Sequence, residues 1–390
     1  MRRSDGIEVI DAFNQKADSC WDEYISTGFP QLDTAMGGGL SVGLTILGAL
    51  SALGKTTLME QIATNISSRG RDVLFITLEM RKKQIAAKAI SRQSYLQGGK
   101  DIAFTSGELQ KENIIKHLNH NRNLLYQKSC NAVKFQWTNF SLISNQDKLW
   151  TVSEIEKYVQ KEWIAQGYLP PVIFIDYLQL TPYEDTRETN DMKIIGNISS
   201  NLKALSSKFK TPVMVISSIN RASYNEPLSM SCFKGSGNIE FNADVLLGIQ
   251  LAGVGQGHFD MEKEKHKEIR NVEIKVLKVK EGESGATIPM DYYAKFNYFK
   301  ECDVKEEGKR GEKMRTADRP APAKKRNSEN PVPQNAKKIE QKDTQKERAL
   351  KKIQEEREMR NAVKRELEEG LKKNPIPEPP EWVKRTLLPV

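Results

Sequence analysis

The stretch that decides the fold is Leu44-Thr45-Ile46-Leu47-Gly48-Ala49-Leu50-Ser51-Ala52-Leu53-Gly54-Lys55-Thr56. Residues 44–50 form an apolar run that predicts a buried strand, and residues 56–68 repeat apolar side chains at helical spacing. A loop ending in Gly-Lys-Thr between a buried strand and a helix is typical of a phosphate-binding loop. The strict pattern has glycine where Ala49 stands, and the alternative is a turn that only caps the helix. The strand-loop-helix context favours the phosphate loop.

The same loop predicts how a nucleoside triphosphate would be held. Backbone N–H groups of the loop and of the helix N-terminus can donate to phosphate oxygens. Lys55 can bridge the β and γ phosphates, and the Thr56 hydroxyl can be a ligand of Mg2+. We therefore predict ATP and Mg2+ as cofactors. The predicted nucleotide contacts of this loop are Ser51, Ala52, Leu53, Gly54, Lys55, Thr56 and Thr57.

Further apolar runs predict the rest of the sheet. Residues 73–78, apolar except for Thr77, and the all-apolar residues 172–175 and 213–216 have the character of parallel strands buried between helices. They alternate with helix-like segments, so we predict an α/β fold: a mostly parallel, twisted sheet with helices on both faces.

Two carboxylates follow these predicted strands. Asp176 ends one strand, and Glu79 comes directly after another. Because the ends of parallel strands gather at one edge of a sheet, both should lie beside the phosphate loop. We predict that Asp176 joins the nucleotide site and binds Mg2+ with Thr56, and that Glu79 activates the attacking water.

Composition limits the class of protein. The chain has 390 residues, of which 28% are charged, and a formal net charge of +9, which favours anionic partners and nucleic acid first. The four cysteines lie far apart, without the paired spacing of zinc sites or disulfide frameworks. No apolar run reaches the ~20 residues that cross a bilayer. We expect a cytoplasmic protein that contacts no membrane.

Residues 26–299 resemble the C-terminal motor domain of DnaB-type replicative helicases, in the standalone form of phages and other mobile elements. The most specific match is Ile175-Asp176-Tyr177-Leu178-Gln179-Leu180, and the family commonly has alanine where Ala49 stands. Leu78-Glu79-Met80 is similar to the segment with the catalytic glutamate. The resemblance implies a RecA-like P-loop NTPase.

Two further segments are assigned by the resemblance. Lys234-Gly235-Ser236-Gly237 resembles the loop that touches the DNA backbone. Lys278 and Lys280 lie in a segment similar to the hairpin that reaches the neighbouring subunit's ATP site, and Lys280 stands where the family has an arginine finger. An exposed strand face with alternating lysines is the plainer explanation, and the spacing of Gly282 and Gly285 favours the finger. The catalytic set implied is Glu79, Lys55, Lys280 and Lys278.

The resemblance implies a function and partners. The chain is expected to be an ATP-dependent DNA helicase motor that hydrolyses ATP at subunit interfaces of a homo-oligomeric ring, with a hexamer expected. It would translocate on single-stranded DNA during replication, with a separate primase or loader as further partners. Ser218 stands where the family has a glutamine that senses the γ-phosphate. This departure permits an alternative, an ATP-dependent DNA-binding or assembly switch, as a ring or filament, without unwinding.

Composition also divides the chain. We predict a linker or helix over residues 1–25, the ATPase domain over 26–300, and a disordered linker over 301–335. A charged helix over 336–374 and a Pro-rich peptide over 375–390 complete this largely helical or disordered tail. Residues 301–390 carry 24 Lys and Arg against 18 Asp and Glu, so most of the basic excess lies there. A partner-binding or DNA-binding tail and a merely solvated one both remain open.

Overall fold

The computed structural model describes residues 24–302, except residues 51, 147, 186, 221–225, 234–235, 258, 281 and 283. The side chains of Ile115 and Ser236 are also outside the description. The predicted segments 336–374 and 375–390 lie entirely outside the described residues, as do nearly all of 1–25 and 301–335. The predicted domain boundaries therefore stay predictions.

A nine-stranded sheet organises the described part of the chain, in the order β11-β10-β9-β8-β3-β7-β6-β4-β5. Six neighbouring strands are parallel and three at one edge are antiparallel. The parallel strands are β3 Gly43–Ala49, β4 Val73–Thr77, β5 Phe140–Ser144, β6 Val172–Asp176, β7 Pro212–Ser218 and β8 Val245–Leu251. The antiparallel strands are β9 Arg270–Val279, β10 Thr287–Tyr293 and β11 Tyr298–Glu301. A separate pair joins β1 Tyr24–Ile25 to β2 Leu40–Ser41.

Helices connect the strands of the sheet. They are α1 Pro30–Ala35, α2 Lys55–Ser67, α3 Lys82–Gly98, α4 Ser106–Leu109, α5 His120–Gln136, α6 Val152–Glu162, α7 Asp191–Phe209, α8 Ser236–Asn242 and α9 Met261–Lys265. Short 3-10 turns include Leu178–Leu180 and Met230–Cys232. Across the described residues, no helix has the length and apolar character that a membrane span requires.

The sheet separates two hydrophobic cores. Alternate residues of the buried strands face opposite sides, so Leu47 packs in one core with Leu58 of α2. Ile46 packs in the other core with Ile155 of α6 and Leu202 of α7. The predicted α/β architecture, with helices on both faces of a mostly parallel sheet, is therefore confirmed.

Two local predictions were wrong. Residues 133–137 alternate apolar and polar side chains, which predicts a short strand near Phe135, but Phe135 lies in the last turn of α5 and is 78% exposed. The strand begins later, at Phe140. Residues 27–33 suggest only a turn, yet α1 begins at Pro30, which suits the first position of a helix. Asp33 holds this entry by accepting hydrogen bonds from the Thr27 N–H and hydroxyl.

Candidate nucleotide-binding site

The phosphate loop leaves the sheet from its centre. Ala49, the last residue of β3, is paired with Ser218 of β7 on one side and with Ile249 of β8 on the other. The loop then turns through left-handed backbone at Ala52 (φ 66°) and Gly54 (φ 86°), and α2 begins at Lys55. Among the described residues, no side chain caps this helix start. Its first N–H groups are therefore available to an anion.

Glycine is required at position 54 for two reasons. The positive φ disfavours other residues, and a Cβ atom there would lie 2.8 Å from Tyr292 Cζ and 2.9 Å from Phe299 Cζ. These two rings stack on each other at 4.1 Å between centroids. They leave no room for a side chain at this position of the phosphate loop.

The Lys55 ammonium lies inside the loop. Its Nζ donates to the carbonyl oxygens of Ala49 (3.0 Å) and Leu50 (3.3 Å). Because these bonds hold the charge over the concave side of the loop, a phosphate oxygen can replace a carbonyl as its acceptor.

Asp176 is the buried acid of the site. It is 1% exposed, it is hydrogen-bonded to Thr56, and its Oδ2 has no hydrogen-bond partner among the described residues. Burial raises the pKa of this carboxyl to about 6, and the nearby Glu79 charge adds to the rise. The Thr56 hydrogen bond and the ammonium groups of Lys55 and Lys88 lower that pKa. A buried carboxylate oxygen that lacks a partner, beside a threonine hydroxyl, fits a hard cation such as Mg2+.

Glu79 lies at the neighbouring strand end. β4 and β6 are paired with Thr77 opposite Asp176, and the Leu78 N–H donates to the Asp176 carbonyl at 2.7 Å. Glu79 follows directly and is exposed. The structure thus brings Lys55, Thr56, Asp176 and Glu79 to one edge of the sheet, in the arrangement that hydrolysis of a bound triphosphate would need.

Lys278 and Lys280 lie at the opposite end of the parallel strands, away from the phosphate loop. The Lys280 N–H donates to the Asp244 carbonyl, and the Asp244 N–H donates to Leu44 at the start of β3. The phosphate loop follows the other end of β3. At the rise per residue of a strand, that end lies roughly 15 Å from Leu44. Lys280 Nζ is 3.8 Å from Asp244 Oδ1, and its side chain is 63% exposed. Lys278 Nζ donates to the Glu240 carbonyl at 2.5 Å.

The remaining predicted residues are described in part. Ser51, Lys234 and Gly235 lie outside the described residues. Ser236 and Gly237 begin α8, so the predicted DNA-contacting segment continues into a helix. The roles assigned to these residues stay predictions.

Sequence reasoning missed two basic residues beside the loop. Lys88 of α3 donates to Thr57 Oγ1 and to Asn297 Oδ1, each at 3.1 Å, and burial lowers its pKa although Glu60 and Asp176 counteract this. A lysine within the small apolar run of residues 85–90 was the available signal. Arg270, at the start of β9, donates to the Ala52 carbonyl at 2.9 Å. This contact spans 218 residues, and no local pattern predicts it.

Comparison with known sequences matches residues 24–301 to the family described as DnaB-like helicase C terminal domain. The chain is 26% identical over 279 residues to a probable replicative DNA helicase of Trieres chinensis, which covers 70% of this chain and 56% of the relative. It is 30% identical over 245 residues to the replicative DNA helicase DnaB of Helicobacter pylori (strain ATCC 700392 / 26695), covering 60% and 45%. The chain spans about half the length of the curated relatives that it matches.

Comparison with solved structures concerns the fold. A solved chain described as an ATPase domain superposes with a TM-score of 0.62 at 18% identity, covering 78% of this chain and all of that one. A DnaB-like replicative helicase, described with its interactions with primase, gives a TM-score of 0.61 at 18% identity, covering 75% and 67%. These similarities confirm the predicted RecA-like ATPase fold.

Proposed function

Because the chain belongs to the DnaB-like helicase C-terminal domain family, we propose that it is an ATP-hydrolysing DNA helicase motor. In this proposal it assembles into a homo-hexameric ring and translocates on single-stranded DNA during replication. The observation that carries the proposal is the buried Asp176 carboxyl, hydrogen-bonded to Thr56 at the strand end next to Glu79.

Each residue of this site has a chemical task. Lys55 and the N–H groups at the start of α2 bind the phosphates, while Thr56 and Asp176 hold Mg2+. Bound Mg2+ would neutralise charge on the β and γ phosphates. Glu79 is exposed on the same edge, where it can accept a proton from water and orient it for attack. The sheet holds these groups in position before the nucleotide arrives.

Lys280 completes the site from the neighbouring subunit. It lies too far from the phosphate loop of its own chain, and its side chain is largely solvent-exposed. A positive charge supplied by a neighbour stabilises the transition state only when subunits are assembled, which couples hydrolysis to the ring.

DNA contact is assigned to the segment Lys234-Gly235-Ser236-Gly237. A lysine with glycine-rich backbone suits sequence-independent binding to phosphates. A primase is proposed as a partner because a similar solved helicase is described with its interactions with primase. A loader is proposed on the family likeness alone.

The test compares ATP hydrolysis with DNA unwinding. We expect ATP turnover that single-stranded DNA stimulates, and displacement of a strand from a forked substrate. Lys55→Ala should abolish both, while Lys128→Ala, an exposed lysine on α5, should abolish neither. Turnover that survives Lys55→Ala would refute the assigned site.

The second candidate function is the ATP-dependent switch, which Ser218 in place of the sensing glutamine favours. The two functions differ in one result of the same experiment. DNA-stimulated hydrolysis without strand displacement, from a ring or filament, would support the switch and refute the helicase.

A further inference from the structure

A side chain closes a gap in the sheet beside the nucleotide site. The β6–β7 ladder ends at the pair Ile175 and Val215, yet β7 continues to Ser218, which still pairs with Ala49 on its other side. Gln179 spans this gap. Its Nε2 donates to Ser217 Oγ at 3.0 Å, and its Oε1 accepts from the Ser218 N–H at 3.2 Å. The amide takes the place of the missing backbone pairs.

Gln179 is close in sequence to the proposed metal ligand. It lies three residues after Asp176, in the 3-10 turn Leu178–Leu180. The Asp176 Oδ2 atom has no hydrogen-bond partner among the described residues, so a bound cation would pull on this strand end. Any displacement of that end would reach the last two residues of β7 through the turn and the Gln179 amide.

The end of β7 supports the segment that precedes the predicted DNA loop. Ile219 forms a β-bridge with Phe233, and the Asn220 N–H donates to the Cys232 carbonyl at 2.8 Å. Phe233 is fully buried and packs on Gly48 of β3, where a Cβ atom would lie only 2.3 Å from its ring. Phe233 directly precedes Lys234. This segment therefore has little freedom to move apart from the β7 end.

We propose that Gln179 is a positioning residue that couples the nucleotide at Asp176 to the DNA-contacting segment that begins at Lys234. This inference rests on the proposed function, since it assumes that both sites bind their ligands. Gln179 performs the coupling through hydrogen bonds to β7. The Ser218 backbone N–H donates to Gln179 Oε1, and the Ser217 hydroxyl oxygen accepts from Gln179 Nε2.

The test is the ratio of two affinities. The dissociation constant of a fluorescent oligo(dT) is measured with Mg2+ and a non-hydrolysable ATP analogue, and again with Mg2+ and ADP. We expect the ratio of these two dissociation constants to differ from one in the wild-type protein. In Gln179→Met the ratio should lie about tenfold closer to one, which is a typical size for coupling between sites. Gln179→Glu should keep the wild-type ratio, because its carboxylate accepts from both the Ser218 N–H and the Ser217 hydroxyl.

Two further variants separate coupling from folding. Gln110→Met removes a glutamine bond to the Ser106 carbonyl at the start of α4 and should keep the wild-type ratio. Ser217→Ala is a smaller change that should move the ratio in the same direction as Gln179→Met. If Gln179→Met fails to bind nucleotide, the ratio of Ser217→Ala is the test of the coupling.

A wild-type ratio in Gln179→Met, or in a nucleotide-binding Ser217→Ala when Gln179→Met does not bind, overturns the inference. If the wild-type protein hydrolyses ATP but shows a ratio of one, the inference is also overturned, and the proposed ATPase function stands. Wild-type protein that binds no nucleotide refutes the proposed function itself.

Discussion

The Arg92 guanidinium and the Glu60 carboxylate form a buried, two-bonded ion pair. Arg92 Nη1 lies 2.5 Å from Glu60 Oε2 and Nη2 lies 2.9 Å from Oε1, and the side chains are 3% and 0% exposed. Thr64 donates a third bond to Glu60 Oε1 at 2.8 Å. The pair joins α2, which follows the phosphate loop, to α3, which follows Glu79. Its loss should therefore affect both stability and the site.

Arg92→Met should reduce the free energy of unfolding by about 3–5 kcal/mol, because it leaves a buried carboxylate without its partner. The double variant Glu60→Met/Arg92→Met should lose much less, since both charges are then gone. Urea denaturation measures all three proteins. Lys100→Met, which breaks an exposed pair with Glu268, should cost about 1 kcal/mol or less. A double variant as unstable as the single one would contradict this account.

The sheet and the grouping of Asp176 and Glu79 beside Lys55 could be predicted because the sequence patterns that indicate them are local. Continuous apolar runs identify the buried strands, and their order identifies a parallel sheet, which places Asp176 and Glu79 beside Lys55 by geometry alone. The Arg92–Glu60 pair was not predictable in this way. Its residues are 32 apart, and on their own helices they look like ordinary surface charges.

The buried Asp176 should make the nucleotide-free protein depend on pH. Its pKa is raised from 3.8 to about 6 in the folded state, so between these values the native state holds more protons than the unfolded state. Asp176 therefore lowers the free energy of unfolding by roughly 3 kcal/mol as pH rises from about 4 to about 6, and its contribution is constant at higher pH.

Asp176→Asn removes that dependence. Measured in EDTA by urea denaturation, the variant should be stabilised relative to wild type by more at pH 8 than at pH 5. Asp101→Asn, at an exposed position, should give the same small difference at both pH values. Equal increments for Asp176→Asn at the two pH values would show that burial does not raise the pKa of this carboxyl.

Gly48→Ala should destabilise the protein through Phe233. The added Cβ would lie 2.3 Å from Phe233 Cε1 and 2.5 Å from Cζ, so the ring or the strand must shift. Such overpacking costs about 1–3 kcal/mol, measured as a lower urea midpoint. Phe233→Leu in the Gly48→Ala background should recover part of the loss. Gly107→Ala, which meets no atom within 4 Å, is the matched control and should cost little.

Why glycine stands at position 48 could not be predicted, since the residue lies inside an apolar strand whose pattern accommodates any small side chain. The reason is a ring from position 233, which arrives only in the folded state. Lys88 was missed for a similar cause. Its contacts with Thr57 and Asn297 join three distant segments, and a helical lysine is normally a solvated residue.

Glu79→Gln should separate nucleotide binding from hydrolysis. The amide keeps the size of the side chain but cannot accept a proton from water, so turnover should fall by about 100-fold or more. The affinity for Mg2+ and ATP should stay near that of wild type, because Lys55, Thr56 and Asp176 are unchanged. Glu112→Gln changes an exposed glutamate outside the assigned nucleotide site and should keep full turnover. A strong loss of nucleotide affinity in Glu79→Gln would contradict the separate role.

Mixing two inactive variants tests whether Lys280 acts across a subunit interface. Lys280→Ala subunits have an intact Glu79 but lack the proposed finger, and Glu79→Gln subunits have Lys280 but lack the base. Each variant alone should hydrolyse ATP slowly. In mixed rings, an ATP site on a Lys280→Ala subunit can receive Lys280 from a Glu79→Gln neighbour, which restores both groups at that interface.

DNA-stimulated turnover should therefore rise above that of either variant when the two are mixed and allowed to exchange. Lys275→Ala mixed with Glu79→Gln is the control for an unrelated lysine on β9 and should show turnover that only adds the two contributions. If Lys280→Ala with Glu79→Gln is merely additive although subunits exchange, Lys280 does not complete a neighbour's site.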